Sequence, residues 1–162
     1  MYETVRGEME RFFGVDARRI AHALEVAGHA LRIQMAEGGD RDIVAMASLL
    51  HDIGIKPAEE RFGSNAGHLQ ERLGPPIAGE ILEKLGVGKE KIAAVKELIA
   101  HHHTPGRITT MEFACLWDAD FIVNLGEVAA GMGEEKIREL IDTKLLTEEG
   151  KRIALEIFRL PG

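Results

Sequence analysis

The stretch ASLLHDIGIK, residues 47–56, decides how this chain is read. Ile43, Ala47 and Leu50 recur at helical spacing, and Asp40 stands where a helix N-cap belongs. A helix is therefore expected from about residue 41 to Asp52, with Gly54 ending it. His51 and Asp52 fall in its last turn. A neutral imidazole and a carboxylate are both good ligands for a divalent transition metal. Adjacent helical residues point about 100° apart, so one ion can meet both only close to the helix end, where the backbone relaxes. Taken alone, the pair has a plainer explanation, a histidine favoured at a helix C-terminus by the helix dipole.

Upstream lies RRIAHALEVAGHA, residues 18–30. Asp16 can cap a helix that runs to about Ala36 and is stopped by Gly38-Gly39. On it, His22 shares a face with Val26 and Ile33. Two antiparallel helices joined by a short loop bring His22 near the far end of the second. His29 lies on the same face but about 10 Å further along. It is too distant for the same ion and reads as a hydrogen-bonded polar residue.

Downstream, Gly54, Pro57, Gly63 and Gly67 make residues 54–73 read as a loop with at most a short helical turn. Pro75 and Pro76 suit the first turn of a helix and Gly86 its end. Residues 89–102 form another helix, closed by Pro105-Gly106. Thr109 with Glu112 makes a capping box for a helix to about Leu125. Two more amphipathic helices follow, around 134–142 and 147–159. No alternating strand pattern occurs, so the expectation is all-α: seven or eight helices in an irregular bundle, one domain over residues 1–162. Ile153, Ile157 and Leu160 can pack on the chain's own core or on a second copy, which leaves a homodimer open.

Composition narrows the function classes. Of 162 residues, 45% are hydrophobic and 29% charged, the balance of a globular protein. No apolar run approaches the roughly 20 residues of a membrane span, and residues 1–13 lack a signal-peptide core, so a cytoplasmic protein without a membrane partner is expected. The formal net charge of −7 argues against a nucleic-acid polymer as partner. A small anion can still bind if cations reverse the local field. The single cysteine, Cys115, sits in an apolar stretch and reads as a small core residue. Of seven histidines, His51, His68, His101, His102 and His103 crowd the middle third. In the triplet, three successive side chains fan over about 200°. Ile92, Val95, Ile99 and His102 continue one buried stripe, so His102 points inward and His101 outward.

The order of these features resembles the HD domain superfamily. RRIAHALEVAGHA resembles its first helix and ASLLHDIGIK its second, in the HDIG form. LGPPIAGEILEKLG (73–86), VKELIAHHH (95–103) and LWDADFIVNLGE (116–127) resemble the later helices in order. The likeness spans roughly residues 18–127. It implies a metal held by His22, His51, Asp52 and Asp120. Asp118 and Asp120 are about 200° apart on their helix and periodicity does not choose between them. The resemblance does, because family members carry an Ala-Asp pair that matches Ala119-Asp120. Asp118 then reads as an acceptor for a ligand histidine. Relatives with two metals place a histidine like His102 on the second ion, with His103 assisting. They also need a histidine where this chain has Gly74 or Pro75. His68, in the preceding loop, is the candidate substitute, and one ion is the better expectation. The Gly-Tyr-Pro motif of the cyclic-di-GMP phosphodiesterases is missing, with HHTPGR (102–107) in its place.

A two-His, two-Asp set suits Mn, Fe, Co, Ni or Zn, with Mg also allowed. Such an ion lowers the pKa of bound water and neutralises charge on a phosphoryl group. The expectation is hydrolysis of a phosphate ester in a small nucleotide or related phosphorylated metabolite. Asp52 would orient the water, with Arg19 and Lys56 as phosphate clamps. The alternatives are a di-iron oxygenase of the same fold and a non-catalytic nucleotide-binding regulatory domain.

Overall fold

A computed structural model describes residues 1–161, and among them there are nine helices and no strand. The all-α expectation holds. The helices are α1 (Tyr2–Phe13), α2 (Ala17–Glu37), α3 (Arg41–Leu50), α4 (Ile55–Phe62), α5 (Gly67–Lys84), α6 (Lys89–Ile99), α7 (Met111–Val128), α8 (Glu134–Lys144) and α9 (Glu148–Ile157).

Local chemistry sets most of the boundaries. The Asp16 carboxylate accepts from Arg19 N at 3.2 Å, and Asp40 accepts from the amides of Asp42 and Ile43. Both satisfy donors that a helix start leaves free. The start of α7 differs from the capping box expected at Thr109. The cap is Thr110, whose hydroxyl accepts from Phe113 N, while Glu112 accepts from Asp40 N at 2.7 Å. Glu112 thus ties the start of α7 to the start of α3.

The larger departure is residues 54–73, expected as loop and found as α4 and the first turns of α5. Pro75 and Pro76 lie inside α5 rather than at its start. Both lack an N–H, so one turn of α5 forgoes its bonds. Tertiary contacts hold the turns before them: Leu69 and Gln70 are buried, and Glu71 accepts from His103 N and Thr104 Oγ1. Gly54 permits this packing. A Cβ there would lie 2.6 Å from Gln70 O and 2.8 Å from Gly74 N. The amphipathic α1, absent from the sequence expectation, buries Val5, Met9 and Phe13.

Helix α2 packs along α3 and α7, α3 lies between α1, α6 and α7, and α5 packs on α6. Val26, Ile33, Leu50, Val95, Leu116 and Ile122 fill the space between them. Burying each such side chain stabilises the fold by about 1.5–3 kcal/mol before entropy is counted. Ile153 on α9 is fully buried and Leu160, just beyond its end, nearly so, so that segment packs on this chain's own core; Ile157 stays exposed. Cys115 is buried in the same core, and burial, then the nearby Asp118 charge, pushes its thiol up to about 12. It is inert packing, as its apolar neighbours suggested. No helix among the described residues is long and apolar enough to cross a membrane.

Candidate metal centre

Two helices and one turn converge on the floor of a cleft of about 440 Å³. His22 comes from α2, His51 and Asp52 from the turn that ends α3, and Asp120 from α7. His22 Nε2 lies 3.1 Å from Asp120 Oδ1 and 3.3 Å from His51 Nε2. His51 Nε2 is 3.4 Å from Asp120 Oδ1 and 3.5 Å from Asp52 Oδ2. The four residues singled out in the sequence therefore meet at one point.

The second oxygen of Asp52 faces another way. Asp52 Oδ1 is 3.5 Å from His102 Nε2, and His103 joins that side. Asp52 is thus shared by two groups able to hold an ion: His22, His51 and Asp52, and Asp52, His102 and His103.

Proton positions can be argued from the backbone. His51 Nδ1–H donates to Ser48 O at 2.7 Å, and His102 Nδ1–H donates to Ile99 O at 2.7 Å. A carbonyl only accepts, so in the neutral rings both Nε2 atoms carry bare lone pairs. Those lone pairs point at carboxylate oxygens. His102 Nε2 is buried with no hydrogen-bond partner. Bare acceptors facing acceptors in a buried site are costly unless a cation lies among them.

The titration behaviour says the same. Burial alone would lower the His51 pKa, but the Asp52 and Asp120 carboxylates outweigh it and raise it to about 9. Burial alone would raise Asp52, yet His51 and His102 hold it down at about 2. Asp120 is likewise depressed, against burial, by His22 and His51. The cluster holds positive charge strongly, and a proton on His51 stands in for what a metal ion would supply. The donor set of imidazole nitrogens and carboxylate oxygens fits a divalent transition metal.

Several sequence expectations fall elsewhere in space. Asp118 does not reach a ligand histidine. Fully buried, it accepts from Leu146 N at 2.7 Å, Thr147 N at 2.8 Å and Thr147 Oγ1 at 2.6 Å, fastening α7 to the start of α9. Lys56 turns away from the cleft. Its Nζ lies 3.4 Å from Phe12 O and over the Phe12 ring, so it joins α4 to α1. His68 is exposed in the first turn of α5 and belongs to neither ligand group. Gly74 offers no ligand, and a Cβ there would meet Ile99 Cγ2 at 2.9 Å. Arg19 does line the cleft, already paired with Asp16 at 2.9 Å and Glu59 at 2.7 Å. His29 is half-buried, outside both ligand groups, and burial lowers its pKa.

Two residues missed in the sequence shape the site. Gln70, nearly buried, donates from Nε2 to Asn65 O at 2.6 Å, which turns its Oε1 toward His103 Nε2 at 3.1 Å. His103 Nε2 must then be the donor, leaving Nδ1 bare. The His103 ring packs on Gly67, where a Cβ would stand 2.9 Å from it. Asn124, one turn after Asp120, donates to Asp120 Oδ1 at 2.9 Å. Its i,i+4 spacing from Asp120 was visible in the sequence, whereas Gln70 left no signal there.

Comparison with known proteins agrees on the fold. The sequence matches the HD domain family over residues 19–155. The structure is similar to that of a predicted HD superfamily hydrolase from an uncultured Thermotogales bacterium, at TM-score 0.69 and 24% identity, covering 96% of this chain and 83% of that one. It is also similar to an HD-superfamily hydrolase from Bacillus thuringiensis, at TM-score 0.68 and 22% identity, covering 98% of this chain and 89% of the other. A search of curated proteins returned no match.

Proposed function

The chain belongs to the HD domain family, and from that premise we propose that it is a metal-dependent phosphohydrolase acting on a phosphate ester in a small nucleotide or related phosphorylated metabolite. One observation carries the reading: bare Nε2 lone pairs of His51 and His102 converge with Asp52 and Asp120 beneath an open cleft. His22, His51, Asp52 and Asp120 would hold one divalent ion. Asp52, His102 and His103 would hold a second more weakly, because Gly74 and the outward His68 add no ligand. When bound, such an ion supplies a water of lowered pKa and offsets charge on the phosphoryl oxygens.

The chain's own groups do the rest. The backbone carbonyls of Ser48 and Ile99 each hold the Nδ1–H of a histidine, so Nε2 of His51 and of His102 is the nitrogen presented to an ion. The depressed pKa of Asp52 keeps it an acceptor at neutral pH, able to orient an attacking water. Asn124 restrains one oxygen of Asp120. Gln70 fixes the tautomer of His103, a residue that lines the cleft. Arg19 lines the cleft, paired with two carboxylates.

The test is to purify the protein without chelator, measure metals by elemental analysis, and assay the same sample on a panel of phosphorylated metabolites. Bound transition metal with phosphate release that stops on chelation supports the reading. Failure to take up any divalent metal would overturn it.

A further inference from the structure

The cleft contains cations that a phosphate could use, yet none is free. Among the described residues its lining includes two arginines, Arg18 and Arg19, against four carboxylates, Asp16, Asp52, Asp120 and Glu127. Arg19 is bonded to Asp16 through its NH1 and to Glu59 through its NH2, so two carboxylates outweigh its charge and that trio is net negative. Arg18 pairs with Glu127 at 2.9 Å across the gap between α2 and α7.

From this geometry we infer that the cleft admits one phosphoryl group on a neutral body, a phosphomonoester, and excludes nucleoside di- and triphosphates. The inference rests on the phosphohydrolase reading above and adds the substrate's charge. A phosphoryl group at the floor meets the metal-binding cluster. A second or third phosphate would extend toward the rim. There it meets Arg18 only with the Glu127 carboxylate beside it, and Arg19 only with two carboxylates that already outweigh its charge. The Arg18–Glu127 pair is exposed and weak in itself, but exchanging one anion for another beside it yields no net attraction. Polyphosphate sites are built the other way, with unpaired Lys and Arg or helix N-termini around the chain of phosphates. Here Asn65, Gln70 and Asn124 supply the neutral polar lining, and about 440 Å³ is in the range of small-molecule sites.

Turnover of matched AMP, ADP and ATP by the protein in excess Mn²⁺ should show kcat/KM for the monophosphate at least about tenfold above the others. Equal or faster turnover of ADP or ATP overturns the inference. A second measurement does not depend on activity. Calorimetry of the chelated, metal-free protein with inorganic tripolyphosphate should show no binding up to millimolar concentration, and micromolar binding would overturn it. Glu59→Gln and Glu127→Gln, at partly exposed positions, each release an arginine. Each should bring the AMP-to-ADP ratio down several-fold and confer tripolyphosphate binding, and an unchanged pair of readouts rejects arginine pairing as the cause of exclusion. If no phosphate is released from any of the three while tripolyphosphate is still refused, hydrolysis falls and the exclusion stands.

Discussion

His102 Nε2 stands 3.5 Å from Asp52 Oδ1, buried and without a hydrogen bond, while its Nδ1–H is spent on Ile99 O. Two acceptors facing each other in the interior describe a place prepared for a cation. His102→Ala should therefore weaken the second ion and spare the first. Removing even an outer partner of a metal site typically costs about 10–100-fold in affinity, and loss of a direct ligand should cost at least as much. Metal titration followed by elemental analysis would show the weaker equivalent disappear in this variant, and both equivalents would be impaired in Asp52→Ala, since Asp52 serves both groups. If His102→Ala binds both equivalents as before, the shared-carboxylate arrangement is wrong.

Metal affinity should depend on pH through His51. With no metal, His51 holds a proton up to about pH 9, and an ion must displace it. Affinity should rise about tenfold per pH unit from pH 7 toward 9 and level off above. The stability of the metal-free protein runs the opposite way. A raised pKa means that the His51 contribution is complete below its unfolded value near 6.5 and is lost as pH rises through about 9. The depressed Asp52 contributes above its ordinary range and loses that contribution as pH falls through about 2. Denaturant midpoints of chelated protein between pH 6 and 10 should therefore fall on the alkaline side, and a flat profile would contradict the assignment.

Asp118→Ala should be a stability variant with its metal content intact. It strips three hydrogen bonds from the junction of α7 and α9. Leaving buried amides unpaired costs about 3 kcal/mol or more in total. Urea unfolding would register the loss. A variant that folds normally but binds no metal would restore Asp118 to the site.

Gln70→Ala should act through His103. With its Oε1 gone, the ring loses the acceptor that fixes Nε2–H. We expect kcat to drop about tenfold with little change in KM, the low end of what losing a partner that orients a metal ligand costs. Nitrogen NMR of His103 should show a mixture of tautomers in the variant and one in the parent. A single tautomer in both would remove Gln70 from this role. Gln70→Glu keeps the acceptor and should recover part of the rate.

The helices around residues 41–52 and 89–102 are legible in the sequence because Asp40 and the apolar spacing act within one or two turns. The turns from 55 to 73 are not, because glycines and prolines signal a break and only the contacts of Gln70 and Glu71 with the 101–104 turn override that signal.

At the site, sequence alone determined the all-α class and the order His22, His51-Asp52, Asp120, since ligand type and family order are properties of the chain. What each remaining polar side chain does was decided only in three dimensions. Asp118 and Asp120 both have apolar neighbours, and only the packing of α9 against α7 turns one toward Thr147 and leaves the other to His22. Lys56 and Arg19 are equally plausible clamps on paper, until α1 takes Lys56 and Glu59 takes Arg19. The physical reason is the same in each case. Spacing along a helix sets the angles between side chains, but which angle faces the site depends on how the helices rotate to bury their apolar stripes, and that is settled by long-range packing.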